Sequence, residues 1–116
     1  MSVINHEAKD ILFDRQEGKS PFTGLPLDRQ TQRLEAHHDK EHVNGGKENL
    51  ENMQLLPIYE HLVIHFMRFR DESLPKEERI REFDTVMGRW DELKAEEKDK
   101  FYELVEEKVG IVVRFI

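Results

Sequence analysis

The chain has 116 residues, enough for one domain and too few for two independent cores. Hydrophobic residues make up 37% and charged residues another 37%, with a net charge of −7, so a small core under a heavily charged surface follows. No apolar run reaches the length of a membrane span, and with no cysteine both disulfides and thiolate metal sites are excluded.

Residues 3–17 are predicted to form an amphipathic helix, with Ile4, Ala8, Ile11 and Leu12 on one stripe, Asn5 as a cap and Gly18 as the stop. The stretch from Ser20 to Pro26 holds two prolines and a glycine, which forbids regular helix. Residues 33–37 read as a short strand, Val43 to Lys47 as a Gly-Gly loop, and residues 53–56 as a second strand. Pro57 then sits where a helix can begin, and Ile58, Leu62, His65, Phe66 and Phe69 follow at helical spacing. Beyond Asp71 the character changes. Ser73 and Pro75 signal a helix start, and Ile80, Phe83, Met87, Trp90 and Leu93 recur at three- and four-residue steps. A last helix over 95–109, carrying Phe101, Leu104, Val105 and Lys108, is stopped by Gly110, and residues 111–116 form a β-prone tail.

The charge is uneven. Residues 1–70 sum to −2 and residues 71–116 to −5. An acidic chain is a poor generic binder of nucleic acid, because phosphate contacts rest on Lys and Arg. Composition alone therefore favours a small interaction protein. The histidines argue otherwise. Five of six lie between residues 37 and 65. His61 and His65 are four apart on a predicted helix, so both rings leave one face, one turn apart, a spacing that allows two imidazoles to hold one metal ion, although such a pair taken alone is more often surface or satisfied packing. A third ligand has to come from elsewhere in the chain. His37 and His38 are adjacent on a predicted strand, where neighbours point to opposite faces. One can then bind metal while the other turns toward substrate.

The stretch Leu34-Glu35-Ala36-His37-His38-Asp39-Lys40, followed by Gly45-Gly46, Asn52-Met53, and His61 and His65, resembles the HNH endonuclease family with its ββα-metal (His-Me finger) fold. Within that family it is most similar to the DNase domains of colicin-type bacteriocins. The resemblance covers about residues 20–66. It implies an α+β fold in a single domain over 1–116, with a ββα-metal core over 20–70, an N-terminal helix, and two C-terminal helices in an acidic extension over 71–116. It implies a metal-dependent endonuclease that hydrolyses DNA. His37, His61 and His65 would hold one divalent ion, and His38 would be the general base. Asn52 would brace the loop around His38, though it reads equally as a turn residue before a strand. Glu35 matches an acidic residue behind the first metal histidine, or else a solvated strand position. Neutral imidazoles suit Zn or Ni better than Mg, while an open coordination position admits Mg or Mn.

The sequence departs from the family twice. Many relatives hold a structural zinc on two Cys-x-x-Cys pairs, and here Ser20 to Gly24 and Pro57 to Glu60 stand in those places. Phe22, Leu25 and Pro57 are expected to replace that zinc by packing. The bacteriocin domains are also basic, and this chain is not. Arg29, Arg33, Lys40, Lys47, Arg68 and Arg70 are expected to form a local phosphate-binding rim, with weak sequence specificity. The competing expectation is a non-catalytic metal-binding assembly protein on the same scaffold. Phe83, Trp90 and Phe101 are expected to cover the domain's own core, the alternative being a homodimer or protein-partner face on the C-terminal helices. The first seven residues show no secretory leader, so a cytoplasmic protein, or a toxin delivered from the cytoplasm, is expected.

Overall fold

A computed structural model of the chain describes residues 6–38 and 53–115, with the side chains of His6, Glu7 and His38 excepted. Its elements are α1 (His6–Arg15), β1 (Leu34–His38), β2 (Met53–Pro57), α2 (Ile58–Phe69), α3 (Lys76–Arg89), a 3-10 turn (Trp90–Glu92) and α4 (Ala95–Val109). This is a mixed helix-and-strand architecture, compatible with the α+β class expected from the sequence. The expected cap Asn5 and the Gly-Gly loop lie outside the described residues. No helix among the described residues is long and apolar enough to cross a membrane. The chain divides into two compact units, Met1–Pro57 and Ile58–Ile116.

In the first unit β1 and β2 pair antiparallel, with Leu34 opposite Pro57, Ala36 opposite Leu55 and His38 opposite Met53. Leu12, Leu27, Leu34, Met53 and Leu55 form the core, with Phe13 and Ala36 against it. A fully buried leucine contributes about 1.5–3 kcal/mol. The outer edge of β2 is closed by side chains from the end of α1. The Gln16 amide donates to the Leu55 carbonyl at 3.0 Å and accepts from its N–H at 2.7 Å. The Arg15 guanidinium donates to the Met53 carbonyl. Because backbone groups along an antiparallel strand alternate sides, Pro57 shares that outward side with Leu55, where its missing N–H breaks no ladder bond.

Helix α1 ends one residue before its expected stop. Glu17 N–H donates to Asp14 C=O and Gly18 N–H to Phe13 C=O, the paired bonds of a Schellman motif. The left-handed residue at its C′ position is Glu17, at φ 56°, and Gly18 follows at φ 70°. The expected apolar stripe is also narrower than its pattern. Leu12 is fully buried, whereas Ile11 is 44% exposed.

The segment after α1 folds back through a bridge between Lys19 and Pro26. Ser20 is buried at its base, and its Oγ accepts from the N–H groups of Phe22 at 3.1 Å and Thr23 at 3.3 Å. Leu25, expected to pack in place of a zinc, is instead 56% exposed. Of the other two residues expected to pack there, Pro57 is fully buried and Phe22 half-buried, and hydrogen bonds to Ser20 order the turn around Leu25.

In the second unit α2 packs against α3 and α4. Ile58, Leu62, Val63 and Phe66 of α2, Val86 of α3, Leu93, and Phe101, Leu104 and Val105 of α4 are buried. Phe101 is fully buried with Trp90 at 5.0 Å between ring centroids, so these two aromatics pack into this unit's own core. Ile80, expected on the core stripe of α3, is 49% exposed. The helix is turned so that Arg79, Glu82 and Val86 face inward. Arg79 Nε donates to the Phe69 carbonyl at 2.9 Å, satisfying an acceptor at the C-terminus of α2. The tail expected to be β-prone forms no strand over 111–115. Its Phe115 ring packs against Trp90 at 5.0 Å and Phe101 at 5.8 Å between centroids, and the Tyr102 hydroxyl donates to the Phe115 carbonyl at 3.0 Å and accepts from its N–H at 2.8 Å. With its backbone groups partnered by a side chain, Phe115 needs no ladder.

Candidate metal centre

The first unit supplies one half of the expected constellation. β1 buries Leu34 against the core, so by strand alternation Glu35 and His37 share the opposite face, across from Leu56 and Gln54. Both Glu35 and His37 are half-buried. The backbone of His38 pairs with Met53. The His38 side chain, and Asn52, Lys40 and Lys47 entirely, lie outside the described residues.

The second unit supplies the helical pair. Burial of Ile58, Leu62 and Phe66 fixes the rotation of α2, which leaves His61, His65 and Arg68 along a neighbouring stripe at i, i+4 and i+7. The His61 and His65 ring centroids are 4.8 Å apart, with 37° between the ring planes. Two imidazoles sharing one tetrahedral ion through bonds of about 2.0–2.1 Å would have centroids about 5 Å apart. The observed spacing is compatible with that chemistry.

Glu82 of α3 completes the group. Its Oε2 lies 2.7 Å from His65 Nδ1 and 3.3 Å from Arg68 Nε. The His65 and Glu82 side chains keep only 20% and 12% of their exposure. Burial by itself would raise the Glu82 carboxyl. The hydrogen bond and charge of His65, with the charge of Arg68, outweigh it and hold the group below the ordinary carboxylate range. With an ionised acceptor at Nδ1, that nitrogen of His65 is the donor, which leaves Nε2 to offer a lone pair when the ring is neutral. Ligating histidines are oriented in this way by a carboxylate behind the ring.

Sequence reasoning missed Glu82. It stands with Arg79 and Val86 on the inward side of α3, a placement absent from the sequence pattern, and a carboxylate there is costly unless paired.

Two of the arginines expected in the basic rim have acidic partners. Arg29 pairs with Asp10 and lies over the Phe13 ring at 5.6 Å, and Arg68 is engaged by Glu82. Arg33 and Arg70 are exposed. Among the described residues, no group of three or more His, Asp and Glu side chains gathers as a ligand set. Comparison with protein-family models, with curated proteins and with solved structures gives no match.

Proposed function

We propose that the chain is a metal-dependent endonuclease acting on DNA phosphodiesters, with a ββα-metal core made by β1, β2 and α2. The observation that carries this reading is the His61–His65 pair, two rings 4.8 Å apart on one helix face with Nδ1 of His65 held by a carboxylate. The element order strand, antiparallel strand, helix supports it, as does the run of motif residues from Glu35 to His65. His37, His61 and His65 would hold the ion, and a set of neutral nitrogens suits Zn or Ni, with Mn or Mg admitted. When bound, the ion supplies a Lewis acid that offsets charge developing on the phosphate oxygens.

The remaining chemistry belongs to the chain. His38 takes a proton from water, since an imidazole near neutral pH is both a competent base and largely unprotonated. The resulting hydroxide attacks phosphorus in line, the P–O3′ bond breaks, and the departing oxygen takes a proton from solvent. Asn52 would brace the loop next to His38, and Glu35 would orient His37 from the same strand face. Arg33, Arg70, Lys40 and Lys47 would meet the DNA backbone without reading bases, so cleavage is weakly sequence-specific.

Plasmid nicking with Zn, Ni, Mn and Mg tests the reading. His38→Ala is expected to lose about 10²–10⁴-fold in rate while binding metal as before. Undiminished cleavage by that variant would remove His38 from the chemistry. A wild-type protein that binds metal but cleaves no DNA would instead favour the non-catalytic scaffold.

A further inference from the structure

The proposed ligands lie within residues 37–65, yet the best-defined contact to one of them comes from α3. We propose that Glu82 is a positioning residue for metal capture, fixing the tautomer and aim of His65 so that Nε2 turns its lone pair toward the ion shared with His61. This rests on the reading of His61 and His65 as ligands.

The geometry is short and directional. Glu82 Oε2 stands 2.7 Å from His65 Nδ1, within the range of a charge-assisted hydrogen bond. A carboxylate only accepts, so the proton between them belongs to the ring. Arg68 Nε, 3.3 Å from the same oxygen, restrains the carboxylate in turn. Arg68 is thereby drawn from the expected phosphate rim into the support of the metal ligand. Val86, one turn after Glu82 on α3, is fully buried and anchors that stretch of helix beside α2. A carboxylate hung on a packed helix is a stiffer support than one on a loop. Without it, rotation of His65 about its side-chain torsions and exchange of its ring proton would both compete with ligation.

Isothermal titration of the full chain with zinc or nickel ions alone reads the effect. Glu82→Ala is expected to weaken binding about 10–100-fold. Glu82→Gln, whose amide oxygen still accepts from Nδ1, is expected to recover most of that loss. Long-range proton–nitrogen NMR on the metal-free protein supplies a readout that mere destabilisation would not move. His65 is expected as the Nδ1–H tautomer in wild type and displaced toward Nε2–H in Glu82→Ala. If Glu82→Ala loses helical circular dichroism, Glu82→Met, of similar volume and without a comparable acceptor, takes its place. Wild-type affinity in the acceptor-free variant, alongside lost binding in His65→Ala, would overturn the role of Glu82 and leave the metal pair standing. Equal zinc binding by wild type and His65→Ala would overturn the ligand assignment itself, and this inference with it.

Discussion

Raising the pH is expected to unfold this protein partly through one phenol. Tyr59 is the second residue of α2, two before His61, and it is buried, with Lys100 Nζ 5.7 Å from its ring centroid. Burial raises its pKa from 10.0 to about 12, helped by the charge and hydrogen bond of Glu60 and by the charges of Glu103 and Glu97. The folded state therefore holds the phenolic proton more tightly than the unfolded chain does. This stabilisation is complete below pH 10 and is lost as the pH climbs through 12. Two pH units correspond to about 3 kcal/mol at most, a large share of a small domain's stability. Phenolate absorbance should show one of the two tyrosines ionising near pH 12. Urea unfolding at pH 9 and pH 12 should then show wild type losing about 2–3 kcal/mol more than Tyr59→Phe over that interval. Equal losses in the two proteins would refute the reasoning, because the phenol would then be as solvated in the fold as out of it.

Two local substitutions test the framework. Glu17→Gly removes a side chain from a left-handed position at φ 56°. It is expected to stabilise the fold by about 0.5–1 kcal/mol after the added freedom of the unfolded chain is counted, read as a higher melting temperature. A lowered melting temperature would mean that the Glu17 side chain contributes something its backbone strain does not reveal. Tyr102→Phe strips both hydrogen bonds from Phe115 and is expected to cost about 1–3 kcal/mol in urea unfolding. Unchanged stability would show that the Phe115 ring, and not the hydroxyl, holds the tail.

What the sequence made legible was set by period and by backbone chemistry. The two strands and the helices α2 and α4 fall within about two residues of their expected bounds, and α3 begins just after Pro75, because Pro57, Pro75 and Gly110 interrupt or end backbone hydrogen bonding whatever surrounds them. The expectations that failed depended on long-range partners. Ile80 fits the apolar period of α3, but the inward side of the helix is taken by the fully buried Val86, with Arg79 bonded to the Phe69 carbonyl and Glu82 to His65. The tail has β propensity, but a strand needs a neighbour, and Tyr102 offers its hydroxyl instead. The helical histidine pair was legible because a four-residue step is a local fact. Glu82 was not, since seventeen residues separate it from His65 and nothing local marks it as a partner.

That carboxylate also changes how the chain's acidity bears on the proposed activity. Counted by composition, Glu82 is one of the acidic side chains of residues 71–116, a group that should repel DNA. In the fold its charge is opposed by Arg68 at 3.3 Å and spent on the proton of His65. Net charge acts at a distance, and at physiological salt that distance is screened beyond about 8–10 Å. A total of −7 therefore slows the approach of a polyanion without setting the chemistry at the site. Within a few ångströms, what matters is whether each carboxylate is matched by a cation or a ring N–H. At Glu82 it is matched by both, so an acidic helix can stand behind the His61–His65 pair without opposing the proposed activity.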